Sequence, residues 1–295
     1  MKKALVLGGE TGLLGQALTR ALQAHGWTVH TLGRRDGNLL DRDFLQGALA
    51  GHAPHIIFNA VAWTAVDDAE DRTEDALLLN RALPSMLAQT LKTLGSGHLV
   101  HYSTDFVFSG EGTRLWTEDD TPQPRTAYGR TKLEGEQAIL GILPDRACIL
   151  RTAWLFGPGR KNFVSTILGA CRQRDAVRVV HDQVGSPTYT ADLAQWSVAL
   201  AQSGATGIWH AANGGQASWC DLACEAVSLA AAPCRVIPID SAAWPQKAQR
   251  PAFSALDTRK LATFLGKPPR PWPQALREYL FSENMLLPSD NGGRP

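Results

Sequence analysis

The stretch Ala4–Gly15, ALVLGGETGLLG, settles the class of fold on first reading. A short apolar run closes on two glycines, and Leu13, Ala17, Leu18, Ala21 and Leu22 then recur at helical spacing. A buried strand that turns through glycine directly into an amphipathic helix opens a βαβ unit. Inside the turn, Gly9, Gly12 and Gly15 give the spacing Gly-x-x-Gly-x-x-Gly. Glycine permits a tight turn and lets a pyrophosphate approach the backbone, while the helix start offers unpaired N–H groups and a positive dipole end. After the first strand of a βαβ array, this spacing points to dinucleotide binding.

Outward from that unit the alternation continues. TVHTL (Thr28–Leu32), HIIFNA (His55–Ala60), HLVHYS (His98–Ser103) and ACILRT (Ala147–Thr152) read as four further strands. A helix of roughly 20 residues is expected from near Asp75 to Leu94, kinked at Pro84, which lacks an N–H and crowds the preceding turn. Beyond Thr152 helical spacing recurs near Phe163–Arg174, Thr190–Gln202 and Ser218–Leu229, with short strands VRVV, GIWHAA and RVIPI. The fold class is α/β, a Rossmann-type doubly wound parallel sheet with a smaller C-terminal substrate lobe. The expected division is residues 1–152 for the NAD(P)-binding Rossmann domain and 153–295 mainly for the substrate-binding lobe. The chain is expected to return to the sheet within about residues 175–230. The proline-rich tail after Pro268 is expected to fray.

Composition excludes several classes of function. In 295 residues, 44% are hydrophobic, 19% charged, and the net charge is +1. This is an ordinary globular chain without the basic excess of a nucleic-acid binder. The start, MKKALVLGGETG, is too short in apolar residues for a secretory signal or a membrane span. A cytoplasmic protein is expected. The cysteines, Cys148, Cys171, Cys220, Cys224 and Cys234, are odd in number and lack a Cys-x-x-Cys spacing, so they read as reduced thiols.

Two motifs carry chemistry. The second strand ends in TLGRRDG, with Arg34 and Arg35 where a dinucleotide fold often places an acid for the adenosine ribose. Guanidinium groups pair well with a 2′-phosphate, which favours NADPH; Asp36 within reach of a ribose keeps NADH open. The stretch YGRTK places Tyr128 and Lys132 four apart, on one face of a helix. An ammonium near a phenol is expected to stabilise the phenolate, making Tyr128 a proton donor to the alkoxide that hydride transfer to a ketone creates. In YSTDFVFSG, Thr104 stands at the C-terminal end of the fourth strand, where it can bond the carbonyl oxygen beside Tyr128, with Asp105 placed for substrate.

These motifs, in this order, resemble the extended short-chain dehydrogenase/reductase superfamily, and within it the dTDP-4-dehydrorhamnose reductase family. The narrower resemblance rests on NAVAWTAVDDAE (Asn59–Glu70), HYSTDFVFSG (His101–Gly110), RTAWLFGPGRKNFV (Arg151–Val164), DQVGSPTYTADLA (Asp182–Ala194) and RPAFSALDTRKL (Arg250–Leu261). It implies NAD(P)H-dependent reduction of the 4-keto group of dTDP-6-deoxy-L-lyxo-4-hexulose to dTDP-L-rhamnose. It places Gly12, Leu13 and Leu14 under the pyrophosphate, Asn38 and Leu39 near adenine, and Ala60, Ala62, Trp63, Thr64 and Tyr102 along the cofactor. Thr104, Tyr128 and Lys132 match the catalytic trio, Lys132 also holding the nicotinamide ribose, and Asp105 and Trp154 would contact the sugar nucleotide. Asn38 stands where the family commonly has Asp, and Trp63 where it often has a smaller or different aromatic residue. Family members can form magnesium-bridged dimers through glutamates, one on the first helix; here that helix, LLGQALTRAL, has no acid, so no metal site is expected and the partner count stays at monomer or homodimer.

Lys161, Arg172, Arg174 and Arg250 are further cations for a diphosphate. His181 and His210 are expected to be structural. Two other readings share these motifs. One is an epimerase or dehydratase on another nucleotide sugar, for which STDFVF carries few acids. The other is a non-catalytic regulatory subunit like the methionine adenosyltransferase beta subunit, against which the intact Thr104, Tyr128 and Lys132 speak.

Overall fold

The structure is a computed structural model that describes residues 2–283. From the N-terminus run β1 (Lys3–Leu7), α1 (Leu13–Ala24), β2 (Thr28–Leu32), α2 (Arg42–His52), β3 (Ile56–Asn59), α3 (Asp68–Asp71), α4 (Thr73–Leu77) and α5 (Leu83–Leu94). Then come β4 (His98–Thr104), α6 (Ala127–Ile142), β5 (Ala147–Thr152), β6 (Leu155–Phe156), α7 (Phe163–Cys171), β7 (Ala176–Val180), β8 (Val184–Gly185) and β9 (Thr188–Tyr189). The rest comprises α8 (Thr190–Ser203), β10 (Gly207–His210), β11 (Ala217–Ser218), α9 (Trp219–Leu229), β12 (Arg235–Ile239), α10 (Arg259–Leu265) and α11 (Trp272–Ser282).

Six strands form one sheet in the order β10-β5-β4-β3-β1-β2, every pair parallel. Strands buried on both faces need apolar residues at every position, and the two sides of β1 show why. Ala4 and Val6 pack with Leu18, Leu22 and Leu193, on the side of α1 and α8. Leu5 and Leu7 pack with Leu45, Leu87 and Ile139, on the side of α2, α5 and α6. The order reverses direction between β1 and β3, so the crevice for a ligand opens at their carboxyl ends. A third core lies beyond β5, where Leu168, Val177, Leu222, Leu276 and Tyr279 bring together α7, β7, α9 and α11. Beside it, β7 pairs with β12, β6 with β9 and β8 with β11.

Two expectations are corrected. The stretch before β4 is not one α-helix kinked at Pro84; residues Leu78–Ala82 form a π-helical turn between α4 and α5. Pro84 sits at the start of α5, where a missing N–H costs little, and the wider turn before it absorbs the ring. The segment after Pro268 does not fray as far as residue 283. Trp272, Leu276, Tyr279 and Leu280 of α11 are buried, and Arg270 pairs with Asp192 at 2.7 Å. The remaining tail, PSDNGGRP included, lies outside the described residues.

Candidate active site

A cleft of about 560 Å³ opens at the carboxyl ends of β1, β3, β4 and β5. Gly12, Leu13 and Leu14 line one end; Ala60, Ala62, Thr64 and Tyr102 follow; Thr104, Asp105, Tyr128, Lys132 and Trp154 occupy the rest. The glycine turn is built in three steps. Gly8, at φ +80°, makes the turn, and its carbonyl accepts the Gly12 N–H at 3.0 Å. A Cβ on Gly12 would stand 2.7 Å from that carbonyl oxygen, and one on Gly15 only 2.1 Å. Gly9 lies instead against Thr31 of β2 and does not line the cleft. The tight turn therefore belongs to Gly8, which the Gly-x-x-Gly-x-x-Gly reading passes over. No side chain caps α1, which leaves the amides of its first turn free for an anion. A dinucleotide pyrophosphate fits this end of the cleft.

Arg34, Arg35, Asn38, Leu39 and Trp63 fall outside the cleft lining. Arg34 and Arg35 are exposed in the turn after β2, with no ion pair to either among the described residues. Asp36 accepts the Gly33 N–H at 2.8 Å and Asn38 the Leu40 N–H at 3.0 Å, so both side chains serve the turn itself. Leu39 is buried in the core beneath. Trp63 packs under the Arg72 guanidinium and donates its ring N–H to the Ala65 carbonyl.

Tyr128 and Lys132 owe their places to the start of α6. The Thr126 hydroxyl caps the helix by accepting the Gly129 N–H at 3.0 Å, and the Glu70 carboxylate accepts the Ala127 N–H at 2.8 Å. Asn80, in the π-helical turn, donates to Thr131 at 3.0 Å, and Gly135 leaves room for the Asn80 carbonyl. From β5, the buried Arg151 grips Glu136 of α6 at 2.7 Å. Turns that depart from the α-helix often sit at functional positions, and this one holds α6 in register.

The electrostatics differ from the expectation for the phenol. Tyr128 is pushed up to about 12, first by burial, with the Thr104 hydroxyl pulling it down and the Asp105 charge adding to the rise. Lys132 does not hold the phenol low: its side-chain nitrogen turns to the Tyr102 carbonyl at 2.5 Å. Burial pushes Lys132 down to about 8, against the raising effect of Glu136. Thr104 donates to Asp105 at 3.0 Å, and Ser254 donates to the other oxygen of Asp105 at 2.5 Å. Burial still pushes Asp105 up to about 6.

At the far end Trp154 stacks on Trp219, centroids 3.5 Å apart and planes 6° apart. Trp154 holds a left-handed backbone at φ +47°, a strain kept where packing fixes the residue. A Cβ on Gly185 would meet its ring at 2.6 Å, so glycine there makes room. Of the four cations, Lys161 and Arg250 line the cleft and Arg172 and Arg174 do not. Arg250 is bound through both terminal nitrogens to Asp67, which it holds down at about 2. His181 pairs with Asp240 at the surface, and His210 is buried with its Nδ1 at the Trp116 carbonyl; neither reaches the cleft. Arg160, Gln183, Trp219 and Ser254 also line it, Gln183 from the DQVGSPTYTADLA block. Ser254 lay within the RPAFSALD block, and Arg160 beside Lys161; Trp219 carried no signal.

A parallel sheet with its crevice at the β1/β3 switch, an open glycine turn and a Thr–Tyr–Lys set facing it define the class, a Rossmann-fold oxidoreductase of the extended short-chain type. The chain belongs to the family described as RmlD substrate binding domain, whose family model matches residues 1–285. It is 42% identical over 276 residues to a dTDP-4-dehydrorhamnose reductase of Streptomyces griseus, covering 92% of this chain and 90% of that one. It is also 42% identical over 275 residues to a probable dTDP-4,6-dihydroxy-2-methyloxan-3-one 4-ketoreductase of Streptomyces antibioticus, covering 92% and 93%. The solved dTDP-4-dehydrorhamnose reductase of Bacillus anthracis, in complex with NADP, superposes with a TM-score of 0.91 at 29% identity, covering 96% of this chain and 100% of that one.

Proposed function

We propose that this chain is an NADPH-dependent oxidoreductase that reduces the 4-keto group of dTDP-4-dehydro-L-rhamnose to dTDP-L-rhamnose, the last step of dTDP-rhamnose biosynthesis. The observation that carries the reading is the convergence, in one cleft, of an uncapped glycine turn with Thr104, Tyr128 and Lys132. The relatives' names supply the sugar nucleotide.

When bound, NADPH supplies the hydride. The first-turn amides at Gly12, Leu13 and Leu14 hold its pyrophosphate, with Gly9 and Gly15 keeping the turn close-packed. Beyond the cleft lining, Arg34 and Arg35 would take the 2′-phosphate and Asn38 and Leu39 would border the adenine, while Ala60, Ala62, Thr64 and Tyr102 would flank the rest within the cleft, with Trp63 outside its lining. Thr104 turns its hydroxyl from Asp105 to the substrate carbonyl oxygen. Tyr128 gives that oxygen its proton; even at a pKa of about 12 the phenol is a far stronger acid than the alcohol being formed. Lys132 orders the cofactor ribose beside Tyr128. Asp105 and Trp154 contact the sugar, and Lys161 and Arg250 offer charge to its diphosphate.

No described helix is long and apolar enough to cross a membrane. The work is assigned to the cytoplasm, by a monomer or homodimer. Product analysis tests the proposal: protein, NADPH and the 4-keto sugar nucleotide generated by the two preceding pathway enzymes should give dTDP-L-rhamnose by NMR. A different 4-epimer, or unchanged ketone, rejects the assignment of substrate.

A further inference from the structure

Beside Lys132, a short line of buried polar groups runs back through the sheet. Asn59 ends β3 and His101 lies within β4, with relative exposures of 1% and 0%. The backbone N–H of Val61 donates to Asn59 Oδ1 at 3.2 Å. A backbone N–H can only donate, so it fixes the amide with Nδ2 toward His101 Nδ1, 3.1 Å away. The amide nitrogen is also only a donor. His101 Nδ1 therefore accepts, and the proton of the neutral imidazole sits on Nε2. Burial, and then the charge of Lys132, hold His101 well below the usual histidine range.

That Nε2–H faces Lys132 Nζ at 3.3 Å. An ammonium has no lone pair to receive it; an amine has one. As an amine, Nζ accepts from His101 and donates to the Tyr102 carbonyl at 2.5 Å, so every link has a donor and an acceptor. As an ammonium, it sets two N–H groups against each other between two buried side chains.

We propose that Asn59 and His101 are positioning residues for the reduction: a hydrogen-bond chain starting at the Val61 N–H presents the imidazole Nε2–H to Lys132, disfavours its ammonium form and sets the pH at which Lys132 changes charge beside Tyr128. The proposal rests on the roles given above to Tyr128 and Lys132. Burial already lowers the pKa of Lys132, and the facing Nε2–H acts in the same direction. The other ionisable groups on the elements around Lys132 are Tyr128, Arg130, Glu134 and Glu136 on α6, His98 and Tyr102 on β4 with Asp105 after it, Cys148 and Arg151 on β5, and Asp68, Glu70 and Asp71 on α3. Glu136 acts in the opposite direction and is bonded to Arg151, so it does not account for the depression.

The test follows Lys132 itself by side-chain carbon NMR of lysine-labelled protein across pH, its signal assigned by its loss in Lys132→Arg, alongside the pH dependence of kcat/KM. His101→Leu removes the N–H and should raise the Lys132 pKa by about one unit. Should Leu not fold, His101→Asn takes its place, since the shorter amide reaches Asn59 but not Lys132. Asn59→Asp, nearly isosteric, accepts from both Val61 and His101 Nδ1, turns Nε2 into an acceptor and should raise it at least as far. The kinetic limb should move with the signal. An unmoved signal in the His101 variant overturns the proposal, as does movement in Asn59→Asp alone, the result of a bare added charge. A purely structural role would lower kcat at every pH and move neither reading. The NMR arm needs no turnover, so absent ketone reduction would defeat the proposed function and leave this inference to be judged on the signal.

Discussion

Asp105 shows how one side chain couples the stability of the protein to its chemistry. Its carboxylate accepts a hydrogen bond from Thr104 on one oxygen and from Ser254 on the other. Burial raises its pKa to about 6, so the folded protein binds the carboxyl proton of Asp105 more tightly than the unfolded chain. The stability Asp105 contributes is then whole below about pH 4 and is lost as pH rises through about 6. We predict that Asp105→Asn gains stability on the wild type between those limits, by about 2–3 kcal/mol at neutral pH, in urea unfolding followed across pH. A difference that does not change with pH would contradict the assignment. Tyr128→Phe should lose roughly 10²–10⁴-fold in kcat with NADPH affinity kept, because only the proton donor is gone. Much at this scale was legible: Tyr128 and Lys132 show in their spacing, and Thr104 in its place at a strand end. What spacing cannot carry is direction. It does not say that Lys132 turns to the Tyr102 carbonyl rather than the phenol, nor that Gly8 rather than Gly9 takes the positive φ.

At the scale of elements, the reactive face depends on how α6 is pinned. Three contacts from distant parts of the chain do this: the Glu70 cap at its start, Asn80 against Thr131, and the Arg151–Glu136 pair at its middle. Removing one partner of a buried ion pair leaves the other charge unpaired in the interior. Glu136→Ala should therefore cost about 3–5 kcal/mol in denaturant unfolding, while a loss below about 1 kcal/mol would mean that the pair does not hold the helix. The strands were legible because a parallel sheet buries both faces, so HIIFN and ACILRT read as unbroken apolar runs. The π-helical turn was not, since one extra residue in a turn hardly disturbs the apolar spacing on either side. Nor was α11: the prolines at 268, 269, 271 and 273 suggested a frayed end, yet proline is at home in the first turn of a helix.

For the whole molecule, the cleft lies between the sheet and the core beyond β5, and a segment returning from that side, Lys247–Arg250, binds Asp67 and Asp71 across it. On the proposed reading, cofactor and substrate take separate ends of one groove. A ligand that binds only the folded state raises stability by about 2.7 kcal/mol at a hundred times its Kd. NADPH should raise Tm accordingly, and Arg34→Ala with Arg35→Ala should shrink that rise for NADPH but not for NADH. Equal shrinkage for both would remove the two arginines from the 2′-phosphate. The central claim, that Thr104, Tyr128 and Lys132 reduce a nucleotide-linked 4-ketosugar, meets its most direct test in the reduced-nicotinamide absorbance when the coupled 4-keto sugar nucleotide is added. The wild type should consume the signal in proportion to the ketone supplied and Tyr128→Phe almost none; a steady signal with the wild type and active coupling enzymes, or equal loss with Tyr128→Phe, would contradict it.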